Sequence, residues 1–544
     1  MPNFSRRSMW HQSGASQVSD ILIHSETSRR LVQGLHSLIY ATMLLLAGMA
    51  PASAASVCPP VDTIQRGSEV SFDVLDTRTL HRAFALGFNL EWKTFQTELW
   101  RDEAHTVDEN VVRMLAQFPQ LVYRYPGGSV ANFLDLNLSL GDRKFRPEQR
   151  AVTWSKPEGM RFGLSEYLGF LDEIKGRSWL VVNLFGRLEG VQSIEVLAPK
   201  WEALAQRLKM EGAPERIELG NELYLDRYAM TPESYAERVN AAATVFRRYL
   251  PDARFVVGLS DFDGKRYTKE RYNHLLLKNL KLDGIEFAQH SYYDGPPGGP
   301  PVPNRLRAVC RTIQQIRESG VSDPVVWITE HARWPGGKTS DPGWKELWPL
   351  SNNLEAAISV ADYVIASSTL PEVRGAFLHS LSGSTGPWAF YMRNDGVFYP
   401  SALASMFGVL YELASSDIIP TRTITTKSQG HSGEYDTRGI VLRMHSNDHW
   451  ALLAINRSNQ TIDARVMIPS LSSKNVSARK KMVSSSSVNA NNSIQQQARL
   501  EPRTSTEDVA FNEAGAARIF LKPYSISFIE FVPSQSDRSE KQLK

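Results

Sequence analysis

Between Ala83 and Ser384 short apolar runs alternate with longer amphipathic ones, and this regularity restricts the fold more than any other feature of the chain. Eight runs read as strands: Phe84 to Glu91, Leu121 to Tyr125, Trp179 to Phe185, Arg216 to Glu222, Arg254 to Leu259, Gly284 to Tyr292, Val325 to Glu330 and Gly375 to Ser380. Helical patterns lie between them, among them Val107 to Gln117, Leu164 to Ile174, Pro199 to Met210, Thr231 to Tyr249, Arg305 to Ser319 and Asn353 to Ser368. Thr231-Pro232-Glu233-Ser234 offers an N-cap, a proline at the first helical position and an acid in the first turn. Eight strands, most followed by a helix, predict an α/β fold, a (β/α)8 TIM barrel over residues 83–412. A doubly wound open sheet would carry a Gly-rich phosphate turn after its first strand, and none follows Glu91.

Past Leu413 the strands lose their intervening helices. Gly439 to Arg443, Trp450 to Asn456, Ile462 to Ile468 and Ala517 to Phe531 predict a C-terminal β-sandwich over 413–533. Residues 469–498, rich in Ser, Asn and Gln, read as a flexible insertion, and 534–544 as a disordered tail. The segment 55–82 is expected to add a strand, Ile64 to Leu75, to the sandwich.

Arg29-Arg30, the apolar stretch Leu38 to Met49 and the small residues Ala52-Ser53-Ala54 make 1–54 a leader, and predict export to the periplasm or beyond. The apolar stretch is shorter than the roughly 20 residues that span a bilayer, so stable membrane insertion is not expected once the leader is removed. Cys58 and Cys310 both survive that cleavage; a disulfide and two free thiols are both open. No His-x-His or His-Glu-x-x-His pattern supports a metal site, and no cofactor is implied. A net charge of +3, with Arg479-Lys480-Lys481 as the longest basic run, argues against a nucleic acid partner.

Two strand ends deliver carboxylates. In Arg216 to Glu222 a period of two places Glu218, Gly220 and Glu222 on one face; in the seventh strand Val326, Ile328 and Glu330 share a face. If both faces are the barrel interior, Glu222 and Glu330 converge at the C-terminal mouth, where barrel active sites gather. Paired carboxylates are what glycosidic bond cleavage requires: one donates a proton, and the other stays ionised beside a cation such as Arg124 to attack carbon.

Gly220-Asn221-Glu222 on strand four, Thr329-Glu330 on strand seven, His290-Ser291-Tyr292 on strand six and Arg124-Tyr125-Pro126-Gly127-Gly128 on strand two together resemble the clan A glycoside hydrolases, nearest to the arabinofuranosidase and heparanase/glucuronidase branches. Leu521 to Ser527 is similar to the last sandwich strand of such enzymes. The resemblance implies retaining hydrolysis of a polysaccharide or oligosaccharide, with Glu222 as acid/base and Glu330 as nucleophile. Asn221 would then hold a sugar hydroxyl, Tyr292 and Arg124 would contact Glu330, and His290 would line the pocket. Leu223 and His331-Ala332-Arg333 depart from the commonest forms and leave the sugar open.

Further candidates for carbohydrate contact are Asn89 and Asn183 at strand ends, and Trp334 and Trp388, whose rings can stack on sugars. Arg187 and Arg333 are candidate cations for a uronic carboxylate. Asp294 to Pro301, rich in Pro and Gly, is a candidate rim or lid. The alternative to an enzyme is a noncatalytic carbohydrate-binding protein on the same barrel.

Overall fold

The computed structural model describes residues 58–76, 84–151, 156–381, 387–394, 396–426, 435–496 and 499–533, so the leader 1–54 and the tail 534–544 lie outside the described residues. Two short strands, β1 (Ile64–Arg66) and β2 (Val70–Val74), precede the barrel. The barrel strands are β3 (Ala85–Asn89), β4 (Val122–Tyr125), β5 (Arg177–Val182), β6 (Arg216–Leu219), β7 (Arg254–Gly258), β8 (Ile285–Tyr293), β9 (Val326–Arg333) and β10 (Val373–Leu378). They pair in parallel, each with its sequence neighbour, and β10 closes onto β3. All eight apolar runs therefore supply barrel strands.

The helices on the outside are α1 (Glu109–Leu115), α2 (Leu164–Ile174), α3 (Ile194–Glu211), α4 (Pro232–Arg247), α5 (Lys269–Asn279), α6 (Val302–Glu318), α7 (Leu354–Ser368) and α8 (Ala402–Leu410). The Thr231 hydroxyl caps α4 by accepting from Ser234 N. Helix α3 starts before Pro199 rather than at it, because the buried stripe Leu197, Trp201, Leu204, Ala205 and Leu208 holds the helix through the proline. Helix α5 is polar overall and packs through Tyr272, Leu276 and Leu277, so its periodicity is faint in the sequence.

Inside the barrel, Ala85, Val122, Trp179, Val256, Ala288, Trp327 and Phe377 form a small apolar plug. Trp179 meets Trp327 edge-on at 5.0 Å and Phe377 at 4.9 Å, which floors the site above them.

The sandwich has two sheets. Strands β11 (Ser416–Ile419), β13 (Thr437–Met444), β14 (Trp450–Asn456), β16 (Asn475–Ser484), β17 (Arg503–Ala510) and β19 (Ser525–Pro533) build one, in the order β11-β13-β14-β19-β16-β17. The other runs β1-β12-β2-β15-β18, with β12 (Thr421–Thr425), β15 (Ile462–Met467) and β18 (Ala516–Leu521). The expected flexible insertion at 469–498 is corrected here. Asn475–Ser484 is a ten-residue strand paired on both sides, because Val476, Ala478 and Val483 bury beneath its polar residues. Beyond it, Asn491 and Asn492 accept backbone N–H groups from Ala402 and Leu500.

Buried charges lock the sandwich to the barrel. Asp362 of α7 accepts from Arg438 Nε at 2.6 Å, Arg457 Nη2 at 2.7 Å and the Tyr435 hydroxyl at 2.6 Å. Those two guanidiniums outweigh burial and hold the Asp362 carboxyl below its ordinary range. Arg457 also reaches Asp294, which accepts from the Ser359 hydroxyl at 2.6 Å. The loop Asp294 to Pro301 is thus anchored at its first residue.

Cys58 and Cys310 form a disulfide that ties the segment before β1 to α6. Replacing both with serine is expected to lower stability by about 2–5 kcal/mol, read as a reduced midpoint in chemical denaturation, with reductant producing the same loss in the native chain.

Candidate active site

The floor of the mouth is built around one guanidinium. Arg124, at the interior face of β4, is wholly buried, and all five of its N–H groups are engaged. Nε and Nη2 donate to the two oxygens of Glu218 at 2.7 Å each; Nη1 donates to Asn89 Oδ1 at 2.7 Å and Glu330 Oε1 at 2.8 Å; Nη2 also donates to Asn221 Oδ1 at 2.7 Å. Glu218 in turn accepts from Trp179 Nε1 at 2.8 Å, so a buried acid on β6 steadies the arginine that meets Glu330.

Glu330 reaches the interior by an irregularity in β9. Trp327 faces the plug, whereas Val326 and Ile328 pack outward in the main core. Simple alternation would then turn Glu330 outward. Across β8 and β9, Ala288 stands opposite Trp327 and His290 opposite Glu330, so β9 carries one extra residue between these pairs. The same extra residue shows against β10, where Ile328 opposes Ala376 and His331 opposes Leu378. This bulge resets the alternation and aims Glu330 inward, correcting the expected shared face of Val326, Ile328 and Glu330.

Glu222 is also off the expected strand. β6 ends at Leu219; Gly220 takes φ +82° and Glu222 φ +48°. A Cβ at Gly220 would stand 2.6 Å from the Leu223 side chain, so the turn needs glycine in both conformation and space. Asn132 fixes the turn by accepting Asn221 N at 2.9 Å and donating to Asn221 O at 2.6 Å.

These elements bring the two acids together. A donor atom from each of Glu222, His290 and Glu330 lies within 4.8 Å of the others. His290 Nδ1 is 3.2 Å from Glu222 Oε1 and 3.4 Å from Glu330 Oε2. Tyr292 donates its hydroxyl to Glu330 Oε2 at 3.0 Å, and His379 Nδ1 lies 3.4 Å from that oxygen. Burial opposes charge on His290, but the Glu330 and Glu222 carboxylates outweigh it and raise its pKa to about 9. Burial likewise opposes charge on Glu330, yet His290, His379 and Arg124 hold its carboxyl well below the usual range. Among the described residues, Glu222, His290 and Glu330 are spaced closely enough to hold a metal ion. A charged imidazole and the Arg124 guanidinium beside Glu330 make the cluster better matched to a proton than to a cation.

The other candidates divide. Trp334 and Trp388 stand at the mouth with Tyr292: Trp388 is 5.1 Å from Tyr292 and 5.7 Å from Trp334, ring centre to ring centre. Their indole N–H groups are tied to Gly337 O and Arg333 O. Asn89 is buried, bonding Arg124 and Thr329 O, so it organises the floor rather than meeting a distal sugar. Asn183 closes its own turn, accepting from Phe185 N and Gly186 N and donating to Gly186 O and Leu134 O. The turn thus uses the whole Asn183 amide, the group expected to contact a sugar. Arg333 points away from the interior and pairs with Glu355 at 3.1 Å.

Sequence reasoning missed Arg227 and His379 and gave Glu218 no role. Glu218 had a signal, a second acid on the Glu222 strand, and so did His379, a polar residue at the end of the run Gly375 to Ser380 that directly follows β10; Arg227 arrives from loop geometry.

No family model matches the chain. Among solved structures, the arabinose complex of an alpha-L-arabinofuranosidase from Thermotoga maritima aligns with TM-score 0.68 at 16% identity, covering 85% of this chain and 99% of that one. A family 51 arabinofuranosidase from Xanthomonas axonopodis pv. citri aligns with TM-score 0.67 at 17% identity, covering 85% of this chain and all of that one. The chain has the fold of the family 51 arabinofuranosidases. The arabinofuranosidase fold thus spans barrel and sandwich together. In sequence, an intracellular exo-alpha-(1->5)-L-arabinofuranosidase of Streptomyces lividans is 31% identical over 84 residues, which span 15% of this chain and 13% of that enzyme.

Proposed function

We propose that the chain is an exported retaining glycoside hydrolase that releases α-L-arabinofuranosyl groups from an oligosaccharide or polysaccharide, with Glu222 as acid/base and Glu330 as nucleophile. The observation that carries this reading is the approach of the Glu222 and Glu330 carboxylates to within 4.8 Å about His290. Retaining enzymes hold their carboxyls roughly 5–5.5 Å apart, whereas inverting ones need about 6.5–9.5 Å to seat a water. Glu330 attacks the anomeric carbon as the glycosidic C–O bond breaks and Glu222 gives its proton to the departing oxygen. Water, deprotonated by Glu222, then cleaves the glycosyl ester and frees Glu330.

The surroundings suit both steps. Arg124 and Tyr292 keep Glu330 ionised and aimed. The His290 cation offsets the charge that Glu222 acquires when its proton leaves. Asn221 has a buried Nδ2 with no partner among the described residues, a donor free for a sugar hydroxyl beside Glu222.

The choice of arabinofuranoside over glucuronide follows the named relatives and the pairing of Arg333, one of the two candidate cations for a uronic carboxylate, with Glu355. Export is supported by the leader-like sequence of 1–54 and the Cys58–Cys310 disulfide, a bond favoured in oxidising compartments. Among the described residues no helix is long and apolar enough to cross a membrane.

The test is hydrolysis of para-nitrophenyl α-L-arabinofuranoside followed by NMR, which should give arabinose of retained configuration first. Inverted product, or no turnover of any aryl glycoside, would sink the reading.

A pH profile checks the His290 assignment. Its pKa rises from 6.5 unfolded to about 9 folded, so its stabilising charge is complete below about 6.5 and lost as pH climbs through about 9. Glu330 has the opposite sign, contributing above its ordinary 4.5 and failing as pH falls through its depressed value. The stability gap between wild type and His290→Gln should shrink above pH 9, and the alkaline limb of kcat/KM near 9 should vanish in the variant. An unchanged limb assigns it elsewhere.

A further inference from the structure

Among the described residues, Arg124, Arg305 and Arg227 bring guanidiniums to or near the mouth, and the first two are committed to the protein. Arg124 has every N–H engaged, and Arg305 donates Nε to Tyr292 O at 2.6 Å while Nη1 pairs with Asp261 at 3.3 Å. Arg227 differs. Its side chain is 56% exposed, and Nη2 lies 3.3 Å from Glu222 Oε2 and 2.8 Å from the Ser129 hydroxyl. Among the described residues its Nε and Nη1 have no hydrogen-bond partner. The guanidinium lies over the Tyr228 ring, 5.0 Å from its centre, so its direction is partly fixed before anything binds.

The two oxygens of Glu222 divide the site. Oε1 faces His290, which also touches Glu330; Oε2 faces Arg227. During cleavage the sugar that becomes esterified lies on the Glu330 side, and the group protonated by Glu222 departs on the other. Arg227 therefore borders the leaving portion of the substrate, not the sugar that is attacked.

We infer that Arg227 is a specificity-determining residue that receives a carboxylate carried by the leaving portion, a uronic acid or an aromatic acid next to the cleaved bond. The inference rests on the glycosidase reading above. The chemistry fits: a planar guanidinium with unfilled donors binds a carboxylate by charge-assisted hydrogen bonds. Its contact with Glu222 sits at the long end of hydrogen bonding, so an incoming anion competes on favourable terms.

The test compares para-carboxyphenyl and para-(methoxycarbonyl)phenyl α-L-arabinofuranosides, one anionic and one neutral, with wild type, Arg227→Gln and Arg227→Lys. The readout is the acid-to-ester ratio of kcat/KM in each protein. Dividing the ratios cancels the intrinsic reactivity of the two phenols and any general damage from touching Glu222. Arg227→Gln should lower the ratio about fivefold, the size of an exposed ion pair reinforced by hydrogen bonding. Lysine should keep part of it, and added salt should shrink the wild-type preference. Equal ratios in wild type and Arg227→Gln overturn the role of Arg227 while leaving the hydrolase reading intact. A wild type that cleaves neither glycoside overturns that reading and this inference with it.

Discussion

Glu330→Ala is expected to lower kcat on aryl arabinofuranosides by about 10⁴- to 10⁶-fold, the scale at which removing a covalent nucleophile leaves only binding and electrostatics behind. Among the described residues, Glu218 is held by Arg124 and Trp179 beneath the mouth, and Glu222 meets the same His290 nitrogen as Glu330. Glu222→Ala should cost less, about 10²- to 10⁴-fold, and least with leaving groups that need no proton. Azide separates the two roles. Filling the Glu222 cavity, it should attack the glycosyl ester and give a glycosyl azide of retained configuration. In Glu330→Ala it should attack from the nucleophile's side and give the inverted azide. Rescue with the same configuration in both variants would show that the assignments are wrong. The expectation follows from Glu330 being the acid that its neighbours keep ionised, with Arg124, Tyr292, His290 and His379 all facing it.

Much of this was legible in the chain because the barrel repeats one pattern. Eight buried strands each need an apolar run, and the polar residues that interrupt their ends, Arg124, Asn221, Glu222, His290, Tyr292 and Glu330, have no place in a core without partners. Alternation was less reliable than the residues themselves. It put Glu330 inside beside Val326 and Ile328, which face outward; the bulge that restores Glu330 has no signature in Ile328-Thr329-Glu330. Asn183 looked like a sugar ligand because the sequence cannot show that Phe185 and Gly186 claim its oxygen. Residues 469–498 looked flexible because strand β16 takes its buried side chains from Val476, Ala478 and Val483, scattered among serines and lysines. Arg227 belongs to a short turn whose direction depends on the positive φ of Glu222, and no periodicity reports that.

Arg124→Met is expected to destabilise the fold by about 3–5 kcal/mol, because it leaves the buried carboxylate of Glu218 without its cation and strips hydrogen bonds from Asn89, Asn221 and Glu330. Denaturant titration gives that loss, and a kinetic assay of the folded fraction gives the loss in kcat. Stability and catalysis then come apart in the double variant Arg124→Met/Glu218→Gln. Removing both charges relieves the unpaired acid, so part of the lost stability should return. Activity should not return, since Glu330 still lacks the donor 2.8 Å from its Oε1, and Asn221 lacks the one 2.7 Å from its Oδ1. Lysine at 124 offers charge but not five directed donors, and should keep more stability than methionine while leaving Glu330 poorly aimed. A double variant that regained both would mean that Arg124 merely neutralises Glu218. One that regained neither would mean that the bonds to Asn89 and Asn221 carry the floor, and that the Glu218 pair is secondary to them.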